Sequence, residues 1–246
     1  MSFKTVAVIP ARMESKRFYG KVLYSYKGKP LLYYVYNEVS KAKRVDRFVV
    51  ATDSQEIESK ARDFGAEVIR TSGKYNSGSD RVAAIMKKIP ADLYINVQAD
   101  LFGLKSAVLD RVINAFSRDS NLKYGTLARK IRNDRELKDP NSVKVVLKKN
   151  KQAGWFSRQP LPYLQRPLKK TLSSQADYYY HIGVYFYRRE ALREFAGWPQ
   201  TSCEKAESLE QLRILENGRN IRVFLTRIKT VSIDSPADIY KLRGLI

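Results

Sequence analysis

Thr5–Pro10 reads TVAVIP, Arg47–Thr52 reads RFVVAT and Ala66–Arg70 reads AEVIR. Each is a short, nearly continuous apolar run, the pattern of strands buried on both faces of a parallel sheet. Between the first two, Pro30 opens PLLYYVYNEVSKAK, whose apolar residues recur at helical spacing. Between the second and third, Asp53–Phe64 reads as a helix that Gly65 stops. A β-α-β-α-β run completed by residue 70 predicts an α/β fold with a doubly wound, mostly parallel sheet. The alternation continues with a helix over Arg81–Lys88, a strand at Leu93–Val97 and a helix over Ser106–Ser117.

The second half is less regular and predicts a mixed arrangement. Strands are expected near Val143–Leu147, Gly154–Ser157, His181–Tyr187 and Ile221–Thr226, with a helix over Lys205–Glu216. A last helix starts at Ser235, where Ser235 at N-cap, Pro236 at N1 and Asp238 at N3 are favourable start chemistry. No internal repeat or low-complexity linker interrupts the chain. One domain over residues 1–246 is expected, with an excursion around residues 140–176 that includes the three-proline stretch Pro160–Ala176.

Composition narrows the function classes. The chain has 246 residues, 43% of them hydrophobic, enough for a sizeable core. No apolar run approaches the roughly 20 residues of a membrane span. The opening MSFKTVAVIPARMESK reads as a first strand rather than a secretory leader, so a cytoplasmic location is expected. Cys203 and His181 are each the single residue of their type, which excludes an internal disulfide and the usual Cys/His zinc clusters. The formal charge of +21 points either to an anionic partner or to basic residues spread over solvated faces. The clusters Lys41–Arg47, Lys87–Lys88, Lys148–Lys151 and Lys169–Lys170 are separate and lack the basic–aromatic alternation of a nucleic-acid groove.

Ligands of open α/β sheets bind beyond the carboxyl ends of the strands. The loop after the first strand, Pro10-Ala11-Arg12-Met13-Glu14-Ser15-Lys16-Arg17-Phe18-Tyr19-Gly20-Lys21, holds two arginines and two lysines. Arg12 and Arg17 can fork onto phosphate oxygens, and Lys21 adds a point charge. The loop has neither the GxGxxG nor the GxxxxGK[ST] pattern. It is either a triphosphate cradle or an ordinary basic surface loop.

The residues of that loop, IPAR-x-x-S-x-RF-x-GK-x-L, resemble the N-terminal signature of the 3-deoxy-manno-octulosonate (Kdo) cytidylyltransferases. Further segments resemble the family in chain order: VVATD (Val49–Asp53), NSGSDR (Asn76–Arg81), NVQAD (Asn96–Asp100), PNSVKVV (Pro140–Val146), FSRQPLP (Phe156–Pro162), HIGVYFYR (His181–Arg188), ESLEQLRILENG (Glu207–Gly218) and the stretch Val231–Asp238. Each is weak alone; in order and at ordinary spacing they are specific.

The resemblance implies a CTP-dependent transfer of CMP to the anomeric hydroxyl of Kdo or a related 3-deoxy acid sugar, with release of pyrophosphate. It implies Mg²⁺ on Asp100 and Asp234, which with Lys21 form the implied catalytic group. Without it, Asp234 reads as a helix-start residue and Asp100 as a turn. The implied nucleotide residues are Pro10, Ala11, Arg12, Ser15, Arg17, Lys21, Asn76, Ser77, Gly78, Arg81 and Gln98. The implied sugar residues are Gln98, Arg158, His181, Tyr185, Glu210 and Gln211; by itself His181 reads as a satisfied histidine at a strand start. Arg213 and Trp155 are expected to be structural. The resemblance also implies a homodimer formed mainly around Val143–Leu168.

The chain departs from the family pattern in three places. NVQGDEP is here Asn96–Phe102, with Ala99, Leu101 and Phe102 replacing glycine, glutamate and proline. PGKPL is here Tyr19–Leu23, and PSPLE is here Gln200–Glu204. Two alternatives follow: the same chemistry on a modified, for example amino-substituted, acid sugar, or a weakened paralogue that binds anions or RNA.

Overall fold

The structure, a computed structural model, describes residues 3–15, 17–166 and 171–245. Nine strands form one sheet: β1 (Thr5–Pro10), β2 (Arg47–Thr52), β3 (Glu67–Arg70), β4 (Leu93–Val97), β5 (Tyr124–Lys130), β6 (Lys144–Leu147), β7 (Ala153–Ser157), β8 (Tyr179–Arg188) and β9 (Ile221–Leu225). Their order is β7-β6-β8-β4-β1-β2-β3, with β5 on β8 and β9 on β5. The run β3-β2-β1-β4 is parallel throughout. Beyond β4 the long strand β8 runs antiparallel and pairs with β4, β5 and β6.

Alternation along the strands explains the two helical layers. Ala7 and Ile9 of β1 face a cluster built with α1 (Leu31–Val39), α2 (Gln55–Asp63) and α4 (Ser106–Arg118). Val6 and Val8 face a second cluster with α3 (Gly78–Ile85), α6 (Arg189–Gly197) and α8 (Leu212–Glu216). The remaining helices are α5 (Asp134–Lys138) and α7 (Ser202–Glu207). No helix among the described residues is long and apolar enough to cross a membrane.

The first half agrees with the sequence expectation closely. In the second half three kinds of difference stand out. Strand β5 and helix α6 have no counterpart in the expected elements: β5 carries Thr126, Arg129 and Lys130 among its apolar residues, and α6 follows β8 with no turn residue between them. The expected helix over Lys205–Glu216 is two helices, because Ser208 takes a left-handed conformation (φ 52°). The helix after Ser235 is a 3₁₀ turn over Pro236–Leu242, with the expected Ser235/Asp238 capping box. The strands expected near Val143–Leu147 and Gly154–Ser157 are present as β6 and β7, a hairpin on the edge of the main sheet; residues 167–170 of the expected excursion lie outside the described residues.

Candidate active site

The carboxyl ends of β1 and β4, the N-terminus of α3, the middle of β8 and the segment joining α7 to α8 surround one cavity of about 770 Å³. Every candidate residue named from the sequence lines it: Pro10, Ala11, Arg12, Ser15, Arg17, Lys21, Asn76, Ser77, Gly78, Arg81, Gln98, Asp100, Arg158, His181, Tyr185, Glu210, Gln211 and Asp234.

At one end Lys21 joins the two acidic candidates. Its ammonium donates to Asp100 and to the Ile233 carbonyl (3.0 Å), and lies 3.8 Å from Asp234. Arg17 reaches Asp234 at 3.0 Å and Asn141 Oδ1 at 3.1 Å. These carboxylates come from chain segments more than a hundred residues apart, and a short clip sets their spacing. Leu101–Phe102 pairs antiparallel with Val231–Ser232, and the Ile233 amide donates to the Asp100 carbonyl (3.3 Å). Leu101 and Phe102 are fully buried in this clip. Gly103 (φ 81°) follows, and a Cβ there would stand 2.4 Å from the Lys229 carbonyl oxygen. The departures at 101 and 102 therefore put buried apolar side chains into the clip that yokes Asp100 to Asp234. Ala99 lines the cavity.

In the loop before α3, Ser77 caps the helix: its hydroxyl accepts from the Asp80 amide and bonds the Asp80 carboxylate (2.8 Å). Arg81 is buried and committed to protein partners, donating to Asp53 (2.7 Å) and Thr71 (2.8 Å) under the Tyr75 ring. Arg12 is exposed at the cavity mouth with no protein partner among the described residues.

The other end is a wall of mutually bonded groups. Arg158 donates from its amide to Glu207 Oε2 (2.9 Å), from Nε to the Glu207 carbonyl (2.7 Å) and from Nη1 to the Pro140 carbonyl (3.0 Å). Its own carbonyl accepts from the buried Lys144 (2.6 Å), whose ammonium burial lowers to a pKa of about 8. Nη2 of Arg158 has no hydrogen-bond partner among the described residues and is free for an anion. Tyr185 donates to Gln211 Oε1 (2.9 Å), while the buried Gln211 Nε2 has no partner. Such orphaned buried donors are rare unless a ligand or water satisfies them. Glu210 accepts from the Ser79 amide (2.9 Å) and from Asn96 (3.3 Å), and burial raises its carboxyl above the ordinary range. The break at Ser208 brings Glu210 and Gln211 to this wall together. In a continuous helix successive side chains would diverge by about 100°. His181 is buried and burial lowers its pKa to about 3, so the ring is neutral.

Gln98 reaches this wall because Gly183 lies beneath it: a Cβ at 183 would stand 2.5 Å from Gln98 Oε1. Arg213 is structural as expected, buried between Asp80 (2.8 Å) and Glu204 (2.6 Å) over the Phe195 ring; Trp155 sits half-buried on β7. The sequence reading missed Asn96, Asn141, Glu204 and Lys205 as cavity-lining residues. Asn96 and Asn141 stood inside quoted motifs; for Asn96 its polarity within the apolar run Leu93–Val97 was the available signal. Glu204 and Lys205 reach the cavity only through the packing of α7.

The sequence pattern of the family described as cytidylyltransferase matches residues 6–221. The 3-deoxy-manno-octulosonate cytidylyltransferase of Geobacter metallireducens is 39% identical over 244 residues, covering 97% of this chain and 96% of that protein. The enzyme of the same name from Geobacter sulfurreducens is 40% identical over 241 residues, covering 96% of each. Among solved structures, CMP:2-keto-3-deoxy-manno-octonic acid synthetase complexed with CTP superposes with a TM-score of 0.88 at 36% identity, covering 98% of both chains. With the family pattern matching most of the chain and relatives about 40% identical over nearly its whole length, this chain belongs to the 3-deoxy-manno-octulosonate cytidylyltransferase family.

Proposed function

We propose that this protein transfers CMP from CTP to the anomeric hydroxyl of Kdo, or a closely related 3-deoxy acid sugar, and releases pyrophosphate. The observation that carries the reading is the polarity of the cavity: cations and two carboxylates at one end, a bonded wall with a free guanidinium nitrogen at the other. Arg12, Arg17 and Lys21 neutralise the triphosphate, and Arg158 Nη2 binds the sugar carboxylate. Tyr185, Glu210 and Gln211 fix the sugar hydroxyls so that the anomeric oxygen lies in line with the α-phosphorus. Positioning and charge stabilisation are the two contributions such a transfer needs most. The attacking hydroxyl loses its proton as its oxygen bonds phosphorus, and the bond to pyrophosphate breaks.

The residues present suit Mg²⁺. Asp100 and Asp234 converge on one ammonium, offering oxygen ligands only. No group of three His, Cys, Asp or Glu residues able to hold a metal occurs among the described residues. One or two carboxylates completed by substrate phosphates is the usual Mg²⁺ arrangement. When bound, the ion supplies Lewis acidity and charge neutralisation at the reacting phosphate.

The same reading places the enzyme in the cytoplasm, making an activated sugar for a lipopolysaccharide-type glycan. It also includes a homodimer through residues 143–168, where Tyr163 is 83% exposed. A monomer in sedimentation at micromolar protein would remove the dimer alone. The phosphate-binding cations gather in a cavity rather than on an open basic face, which disfavours an RNA-binding paralogue. The decisive assay is pyrophosphate release with CTP and a panel of acid sugars. Turnover with Kdo is expected; absence of turnover with every acid sugar, despite CTP binding, would sink the catalytic reading.

A further inference from the structure

We infer that Thr126 is a positioning residue that holds His181 as its Nε2–H tautomer, leaving Nδ1 as a hydrogen-bond acceptor on the sugar side of the cavity. The inference deepens the proposed function and rests on it for the identity of the sugar.

Between Ile182 and Tyr185 the register of β8 against β5 shifts, a bulge that brings two β8 carbonyls toward the same hydroxyl. Thr126 Oγ1, fully buried on β5, lies 2.8 Å from the Val184 carbonyl oxygen, 3.4 Å from the Ile182 carbonyl oxygen and 2.9 Å from His181 Nε2. A hydroxyl has one proton and two lone pairs, and a carbonyl can only accept. The proton therefore goes to Val184, and the Thr126 oxygen accepts from His181 Nε2–H. In the opposite tautomer the hydroxyl proton would turn to Nε2. Two oxygens would then face each other at 2.8 Å without a proton between them, inside the core, where such a pairing is costly.

Two aromatic rings pack against the imidazole. The Phe156 ring meets it edge-on at a centroid distance of 4.9 Å, and Tyr185 lies on it at 5.5 Å. Nδ1 has no partner among the described residues, and His181 lines the cavity. Burial keeps the ring neutral, with a pKa of about 3. His181 thus accepts from a sugar hydroxyl rather than pairing with the sugar carboxylate. The anion is left to Arg158. Thr126 touches no substrate and acts only through His181.

His181 is the one histidine of the chain, so its ring nitrogens can be read without assignment in protein labelled with ¹⁵N-histidine. Wild type is expected to show a neutral ring protonated at Nε2. Thr126→Val should lose that single tautomer and raise KM for the sugar about five- to tenfold, with KM for CTP unchanged. Thr126→Ser, which keeps the hydroxyl, should restore both. A wild-type ring protonated at Nδ1 overturns the inference. So does a Val variant that keeps the wild-type tautomer and sugar KM. If no acid sugar is turned over, the proposed function fails, while the nitrogen spectrum still decides the tautomer. If the Val variant does not fold, the wild-type and Ser spectra decide it.

Discussion

At the end of the cavity proposed to take the phosphates, Arg12 and Arg17 are solvent-exposed, and the Arg17–Asp234 pair, 55% and 31% exposed, contributes roughly 0–1 kcal/mol. At the end proposed to take the sugar, Lys144, His181, Tyr185 and Gln211 are buried, and most of their polar atoms are committed to protein partners. The first region comes from consecutive parallel β-α units. The second is stitched from β4, β7, β8 and the α7–α8 segment. The contrast suits the two ligands. A triphosphate is recognised by charge, which tolerates mobile cations. A sugar is distinguished by the placement of its hydroxyls, which demands groups that are already aimed.

The contrast can be broken or sharpened by experiment. The largest effect is expected from acid. The folded-state pKa of His181, about 3, lies below that of an unfolded histidine near 6.5. Between those values the unfolded chain binds a proton that the folded one refuses. Stability attributable to this group is therefore complete above about pH 6.5 and declines as the pH falls toward 3, by at most about 4–5 kcal/mol. Denaturant melts of wild type and His181→Gln across that window should differ in slope. Equal slopes would mean that the sugar end is more hydrated than its burial implies.

Next, Asp100→Asn and Asp234→Asn should each lower turnover by two to three orders of magnitude, about 3–4 kcal/mol, with little change in melting temperature. Either variant retaining near-wild-type turnover would show that the clip between Leu101–Phe102 and Val231–Ser232 does not exist to hold two essential carboxylates. The smallest effect is expected from Gly183→Ala. Its Cβ would displace the Gln98 amide, and a lost or misdirected hydrogen bond of about 1 kcal/mol predicts a several-fold rise in sugar KM. An equal rise in KM for CTP would erase the distinction between the two ends.

The phosphate end was legible because its parts are local. TVAVIP, the Arg12–Lys21 loop and Asn76–Arg81 are contiguous stretches, and parallel β-α units place each loop at the same edge of the sheet. Arg81 is a partial exception. It lines the cavity, yet its guanidinium is held by Asp53 and Thr71, partners that no spacing along the chain announces. At the sugar end the quoted motifs named the right residues without their arrangement. The break at Ser208, the burial of Leu101 and Phe102, and the strand carrying Thr126 were not legible. A left-handed serine, a two-residue ladder and a bulge leave no periodic trace.

The amino-acid sequence by itself determined the parallel core, through the 2.0- and 3.6-residue periodicities of its apolar side chains, and the roster of candidate residues, through motifs in order. Only the tertiary structure decided how those residues are arranged and which of them are held by one another. Asp100 meets Asp234 across a clip, Arg158 is aimed by Glu207 and Lys144, and the His181 proton is assigned by Thr126. These outcomes depend on distances between segments far apart in the chain. A hydrogen bond is made or lost within a few tenths of an ångström, a scale that side-chain periodicity does not encode.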